Sequence, residues 1–412
     1  MTKPKLLFLS QMFPYPPIGG GLIKTYQSLV SLAKSYSIYA VFVSETQPTQ
    51  AQMRHLKKYC TKLKVFKSDR VLFSVKDNLG QLARNILQGQ SHFEFQYRWE
   101  AAFPFIHQVI KSFKPQVIHV DHINLAQYLP QVKNQIWILE SHNIECQLMW
   151  SRFIHTRKLI RKLYLLIETG LIYLFERHWV PKFDHIFTIS QLDADRYKKL
   201  FSMRNIEEQR LVIQPKKWLV LPEVGNKLPS PAMLSPTVLF IGNLGWPPNE
   251  DAVEWFIEKI WPLVLGKIPN TKLEIVGKPK KGKWNIELDL PGVNWRGFVS
   301  DLDPYLKTAT AFILPFRMGG GVRLKTLTAL SASLPIVSTR VGVEGLPSAI
   351  TQTAILADQA NDFARQLIKL LRAPTAQQKM RIKSLNFIRT YHHAGFIKTH
   401  HQRYLQIVNR LK

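Results

Sequence analysis

Residues Ala311 to Leu346 read AFILPFRMGGGVRLKTLTALSASLPIVSTRVGVEGL, and no other stretch limits the possible fold so tightly. An apolar strand, Ala311 to Pro315, breaks at Phe316, Arg317 and Met318 into three consecutive glycines, Gly319, Gly320 and Gly321. The pattern predicts a helix from near Val322, with Arg323 and Lys325 in its first turn. Glycines let a backbone approach a ligand closely, unpaired N–H groups at a helix start point outward, and the helix dipole favours negative charge there. Two cations in a first turn oppose that dipole, so an anion outside the helix is expected to compensate them. A phosphate is the obvious candidate.

The same strand, loop and helix order opens the chain. Lys5 to Leu9 reads as a strand, residues 14–21 (PYPPIGGG) as a turn-rich loop, and Leu22 to Lys34 as a helix by the spacing of Ile23, Tyr26, Leu29, Val30 and Ala33. Ile38 to Val43 is the next strand, which completes a βαβ unit whose helix N-terminus faces the loop. Residues 50–115 read mostly as helices, with a basic strand near Leu63 to Phe66. Val117 to Val120 and Ile136 to Leu139 are strands that end in polar residues, Asp121-His122-Ile123-Asn124 and Glu140-Ser141-His142-Asn143-Ile144-Glu145. Parallel α/β sheets place ligands at such C-terminal strand ends.

His185 to Ser190 is a further strand and Gln191 to Leu200 a helix. The span 222–236 then carries Pro222, Pro229, Pro231 and Pro236 with little periodicity, which marks a linker. After it come a strand, Thr237 to Ile241, a loop beginning at Gly242, and a helix, Glu250 to Lys259. Strands at Lys272 to Val276 and Val293 to Phe298 and a helix at Asp303 to Thr308 precede the opening stretch. Pro335 to Ser338 is a strand, and helices fill Asn361 to Lys412. The expected organisation is therefore two Rossmann-like α/β domains, 1–225 and 237–385, facing across a cleft, with a C-terminal helix in 386–412 packing back across them. At 412 residues the chain is too long for one core, and 46% hydrophobic residues suffice to pack two.

Charge enters where partners are concerned. Fifty-six Lys and Arg against 28 acidic residues give a formal net charge of +28, which predicts attraction to polyanions: nucleic acid, an anionic bilayer or phosphorylated substrates. Nucleic acid ranks below the others, because no aromatic-basic recognition module accompanies the charge. Between Trp150 and Trp179 the chain is helical, basic and aromatic. It reads either as core helices with a solvated cationic face or as a surface for anionic lipid, on which Arg157, Lys158, Arg161 and Lys162 lie beside apolar residues. The longest apolar run near there, Leu163 to Phe175, is 13 residues and contains Glu168. A spanning helix needs roughly 20. The first apolar run, Leu6 to Ser10, is too short for a signal peptide and reads as a buried strand. A cytoplasmic protein is expected, with attachment to the inner face of a membrane left open.

Metal signals are weak. Only Cys60 and Cys146 are present, so neither a disulfide framework nor a Cys-based zinc site is expected. Asp193-Ala194-Asp195 and Asp301-Leu302-Asp303 spell DxD, but each follows a serine, Ser190 or Ser300, at a helix start, where aspartates cap. His392, His393, His400 and His401 lack an HExxH frame and read as surface histidines.

Taken together, these segments resemble the GT4-type retaining glycosyltransferases of GT-B fold. The match is carried by FIGNLGWPPNEDAVEWFIEKIWPLV, LEIVGKP, GVNWRGFVSDLDPYL and PFRMGGGVRLKTLTALSASLPIVSTRVGVEGL in the second half. PYPPIGGGLIKTYQSL, SHNIE and FDHIFTISQLDADRY support it in the first. The resemblance implies transfer of a sugar from a UDP- or GDP-linked donor to a glycan or lipid-linked acceptor, with retention and without a metal or other cofactor. It implies that Gly20 and Gly21, with Gly19, admit the donor, and that Gly242, Gly320, Gly321, Arg323 and Lys325 surround the diphosphate. It puts acceptor-side groups among Asp121, His122 and His142 without choosing between them. In one place the chain departs from the family. The two glutamates usual in this region correspond to Gly320 and Thr328, and a threonine offers the donor ribose one hydroxyl in place of a carboxylate. The loss is worth about 1.5–3 kcal/mol, or roughly ten- to hundredfold in donor binding. Glu344 is the candidate substitute. A non-catalytic binding protein or transferase partner with the same shell is the alternative. A second departure is QPKKWLVLPE, residues 214–223, where the family has an Asn-Gly-Val-Asp type of turn.

Overall fold

The computed structural model describes residues 3–18, 20–44, 47–67, 85–130, 133–156, 158–210, 235–278, 290–391 and 396–411. The chain divides into two compact units, Met1–Val212 with Ala394–Lys412, and Ile213–His393. Most of the Pro-rich span 222–236, Gly19, Arg157, His392 and His393 lie outside the described residues, as does the 214–223 turn.

The first unit is built on seven strands: β1 (Lys5–Ser10), β2 (Ser37–Ser44), β3 (Lys62–Lys67), β4 (Val117–Asp121), β5 (Ile136–Ser141), β6 (His185–Thr188) and β7 (Ile206–Glu208). Their order is β3-β2-β1-β4-β5-β6-β7, and every pairing is parallel. Burial on both faces makes the central strands continuous apolar runs such as Leu6-Leu7-Phe8-Leu9, each at 1% exposure or less. One apolar cluster joins Leu7, Val41, Ile118 and Leu139 to the helices Ala102–Phe113 and Leu159–Trp179. The other joins Leu6, Phe8, Ile38 and Phe42 to the helices Gly20–Leu32 and Phe396–Leu411, the latter through Tyr404, Ile407 and Val408. The last helix thus belongs to the first unit, although the whole second unit, Ile213–His393, precedes it in the chain. The expected boundary at 385–386 moves accordingly: helix Pro374–Tyr391 stays with the second unit.

The second unit has six strands: β8 (Thr237–Ile241), β9 (Lys272–Val276), β10 (Val293–Gly297), β11 (Ala311–Leu314), β12 (Ile336–Ser338) and β13 (Ala354–Leu356). Their order is β10-β9-β8-β11-β12-β13, again all parallel. Each sheet therefore reverses its strand order once, at β1/β4 and at β8/β11, and Rossmann-type sheets hold ligands outside the carboxyl ends of the strands at such a reversal.

Some sequence expectations shift. The helix expected at 250–259 runs over Pro247–Trp255 and passes into a π-helical turn, Phe256–Ile260, because Pro262 removes a backbone donor from the following turn. The helix expected near Val322 is Leu324–Ser331, with Arg323 in extended backbone as its N-cap. Of the two DxD helices, Ser190 does cap Gln191–Phe201, accepting from Asp193 N at 3.0 Å. The other, Asp303–Thr308, has Leu302 at its N-cap position and no side-chain cap, although Asp301 Oδ1 accepts from Asp303 N at 3.0 Å.

Candidate functional site

In the first unit, β1 and β4 lie side by side in a register that pairs Ser10 with Asp121. Asp121 is fully buried. Its Oδ2 accepts from Ser10 Oγ at 2.7 Å and from Thr25 Oγ1 at 2.7 Å, and its Oδ1 lies 2.8 Å from His142 Nε2. Burial pushes this carboxyl up, but the His142 and His122 imidazoles outweigh that and hold it below its ordinary value. An ionised carboxylate only accepts, so His142 carries its proton on Nε2 and leaves Nδ1 as an acceptor. Nδ1 faces the glycine turn: a β-carbon on Gly21 would stand 3.8 Å from it and 2.6 Å from Met12 Cε. A buried aspartate that orients the imidazole through one nitrogen and leaves the other for a proton is the arrangement a general base needs.

His122 completes the cluster in a different way. Its φ of 134° is one that residues with a β-carbon rarely adopt. Its ring stacks on that of His142, centroids 3.9 Å apart. Nδ1 stands 3.3 Å from Asp121 Oδ2 without a hydrogen bond. Burial, then the neighbouring His142, lowers its pKa to about 3, so it is neutral at ordinary pH. Asp121, His122 and His142 are thus brought together, and their ligand atoms lie close enough to share an ion, as do those of His119, Asp121 and Glu140. Asp121 is already engaged by three side-chain hydrogen bonds.

Behind this cluster is a network that the sequence did not announce. Glu140 is fully buried and meets Lys24 Nζ at 2.6 Å, Ser28 Oγ at 2.8 Å and His119 Nε2 at 3.1 Å. His119 Nδ1 in turn lies 3.3 Å from the Tyr404 hydroxyl on the last helix. Beside His142, the helix Glu145–His155 takes its first two N–H caps from Glu176, at 2.9 and 3.1 Å. Burial pushes both Glu145 and Glu176 up to about 7, and the Glu176 charge adds to the shift of Glu145.

In the second unit, the β8 and β11 loops bring Gly242, Asn249, Phe316, Arg323 and Lys325 together. Lys325 Nζ donates to Asn249 Oδ1 at 2.6 Å and lies 4.7 Å from the centroids of both the Phe240 and Phe316 rings. Among the described residues no carboxylate lies within ion-pairing distance of it. Desolvation, then the Arg323 guanidinium, drives its pKa well below the usual lysine value. Gly242 is explained by this lysine, since a β-carbon there would stand 2.7 Å from Nζ and 3.1 Å from Asn249 Cγ. Asn249 is fixed by donating to Asn243 O at 2.7 Å. Gly319 and Gly321 sit at φ of 140° and 67°, and a β-carbon on Gly319 would reach within 2.3 Å of the Arg323 guanidinium, which itself packs on the Phe316 ring. Gly320 lies between them.

Thr328 stands one turn on in the helix Leu324–Ser331, and its hydroxyl donates back to Leu324 O at 3.2 Å. Glu344 lies in the turn after Val341–Val343, which Thr326 Oγ1 ties to the same helix through Gly342 O at 3.3 Å. Sequence reasoning missed Asn249, Ser10, Thr25 and Glu140. For Asn249 a signal existed, since Gly242 and the PPN helix start were already in view. Glu140 was in view among the polar residues that end β5, but not its part in this network; nothing local distinguishes Ser10 and Thr25.

Comparison with known proteins follows the same division. Residues 235–373 match the family model described as Glycosyl transferases group 1. A curated relative, an uncharacterized 44.6 kDa protein in the cps region of Klebsiella pneumoniae, is 30% identical over 159 residues, which are 37% of this chain. The chain spans 41% of that relative's length. Similar solved structures include sucrose-phosphate synthase from Thermosynechococcus elongatus (TM-score 0.69, 14% identity, covering 98% of this chain and 100% of that one). Others are WaaG, a glycosyltransferase involved in lipopolysaccharide biosynthesis (TM-score 0.60, 12% identity, 96% and 98% covered), and Anabaena HepE in complex with UDP (TM-score 0.59, 12% identity, 98% and 100% covered). The fold is that of the GT-B glycosyltransferases.

Proposed function

We propose that the protein is a glycosyltransferase that moves a sugar from a UDP- or GDP-linked donor to a glycan or lipid-linked acceptor. One observation carries the reading: at the β8/β11 reversal a desolvated lysine, Lys325, leans on a neutral amide and two aromatic rings beside a glycine loop and Arg323. A cation held this way lacks only an anion, and a diphosphate supplies one. The match of residues 235–373 to Glycosyl transferases group 1, and a structural neighbour described with UDP, support the donor class.

In this reading Lys325, Arg323 and the N–H groups of Gly320 and Gly321 bind the diphosphate and stabilise the charge that grows on it as the sugar departs. That stabilisation is proposed to make a metal unnecessary. In the first unit, His142 Nδ1 accepts a proton from an acceptor hydroxyl while Asp121 holds the ring in place. Retention of configuration follows from the GT4-type resemblance and is part of the proposal, as is action at the cytoplasmic side.

A second reading, a binding protein that no longer turns over, is favoured by one residue. The Thr328 hydroxyl is spent on Leu324 O, so the helix offers no carboxylate to a ribose at that position. Calorimetric titration with UDP and GDP, followed by a donor-hydrolysis assay, separates the readings. Binding with hydrolysis is expected; binding without hydrolysis selects the second reading, and no binding of either nucleotide at millimolar concentration overturns both.

A further inference from the structure

Helix Leu159–Trp179 is apolar on two sides. One side, Leu165, Ile172, Phe175 and Trp179, is buried in the core of the first unit. The other carries Leu159, Ile160, Leu163, Leu166, Ile167 and Leu174 outward, with Leu159 at 80% and Ile160 at 87% exposure. These residues recur at helical spacing and form a stripe about 22 Å long. The adjoining helix, Glu145–His155, extends it with Trp150 and Ile154, 46% and 52% exposed. Half of the exposed large hydrophobic residues described in the chain lie on this one helix pair, which is far more than scattered surface leucines amount to.

The charges around the stripe have one sign. Lys158 and Arg161 are exposed at its N-terminal end, Lys162 covers the Phe153 ring at 5.1 Å, and Arg177 is exposed near the other end. The only acidic residues from 145 to 179 are Glu145, Glu168 and Glu176. Glu168 faces inward and accepts from His92 N and Phe93 N at 3.0 and 2.9 Å. Glu176 caps the neighbouring helix, and Glu145 sits at that helix start. The first turn of Leu159–Trp179 contains cations and no acid. That is the reverse of what a helix dipole favours, so these cations do not serve the helix. An anion outside the protein satisfies both the cations and the unpaired N–H groups.

We propose that this face docks the protein on an anionic lipid bilayer, with the stripe set among the acyl chains and Lys158, Arg161 and Lys162 at the phosphates. Among the described residues no helix is long and apolar enough to cross a membrane, so the helix lies in the surface plane. A second copy is a poor occupant, because a two-fold contact would set the same cations against each other. The proposal does not depend on the donor site: nucleotide binding and bilayer docking are read separately.

The test is flotation of the full chain with phosphatidylcholine vesicles, with and without phosphatidylglycerol. Wild type is expected to float only with the anionic vesicles and to be partly released by salt. Lys158→Ala with Arg161→Ala should weaken binding on the order of 30-fold, about one kcal/mol per cation. Ile160→Ser with Leu163→Ser should weaken it at every salt concentration. Both pairs are exposed, so the fold and UDP titration serve as controls. Lys198→Ala with Lys199→Ala removes two cations from another helix of the same unit and should have little effect. No flotation, or an equal loss from the Lys198/Lys199 pair, overturns the proposal. So does concentration-dependent dimerisation abolished by Ile160→Ser, which would assign the face to a second copy.

Discussion

Lys24 in the first unit rests 2.6 Å from a carboxylate, Glu140; Lys325 in the second rests 2.6 Å from a neutral amide, Asn249. Lys24 is buried and Lys325 partly buried, each near a reversal of strand order. The first is matched internally, by Glu140 with Ser28 and His119 around it, and behaves as part of the scaffold that sets β4 and β5 in place. The second is left with induced and dipolar partners only, and its pKa falls. A partly desolvated cation without a counter-ion is costly to the fold, and the cost is recovered when an anion arrives. The same residue type thus marks a structural pair in one place and a binding function in the other.

One substitution made twice breaks or sharpens that contrast. Lys24→Met leaves Glu140 buried without its cation and should cost about 3–5 kcal/mol of stability, measured by denaturant unfolding of the full chain. Lys325→Met should leave stability unchanged or higher, since it removes a desolvated charge, while UDP or GDP affinity falls roughly ten- to hundredfold. An anion beside Lys325 also raises its pKa, so nucleotide binding should take up a proton above the pKa of the empty site. That uptake appears as a binding heat that varies with the ionisation enthalpy of the buffer. If Lys325→Met unfolds the protein as Lys24→Met does, the lysine is structural and the contrast fails.

The two sites were not equally legible in the sequence, for a physical reason. The second depends on residues whose purpose is local. Gly319 and Gly321 need positive φ, Arg323 and Lys325 sit beside them, and Gly242 begins a loop directly after a strand. Such features show in a single stretch of letters. In the first site Asp121 and His142 stand at strand ends and were visible for that reason, but Ser10 and Thr25 reach Asp121, and Ser28 reaches Glu140, from separate elements, over separations near one hundred residues. Strands β7 and β13 have three residues each, too few for alternation to register; β12 is as short but was read. The place of helix Phe396–Leu411 in the first unit rests on Tyr404 packing beneath His119, a contact 285 residues apart in the chain that periodicity cannot reveal.

A second effect separates the units by pH. Glu145 and Glu176 are raised by burial from an ordinary glutamate value to about 7, so the folded chain holds protons that the unfolded chain releases between about pH 4.5 and 7. Their contribution is fully present below the unfolded value and is lost as pH rises through about 7. Denaturant unfolding at a series of pH values should therefore show stability falling over this window, by several kcal/mol for the pair. Glu176→Gln should flatten the slope while nucleotide binding in the second unit stays the same. A slope unchanged by Glu176→Gln would remove these carboxyls as its source.

The smallest effect is expected at Thr328. Its hydroxyl bonds within its own helix, to Leu324 O, and the residue is only partly buried. Thr328→Glu places a carboxylate one turn beyond Arg323 and Lys325, where it can accept from two hydroxyls. If a ribose lies there, UDP binding should tighten by about tenfold or less, because the added carboxylate also neutralises part of the positive field that draws the diphosphate. Inorganic pyrophosphate, which has no ribose, should instead bind slightly more weakly to the same variant. Equal changes for UDP and pyrophosphate would mean that the residue sees only charge, and the ribose would then have to lie elsewhere, with Glu344 the next side chain to substitute.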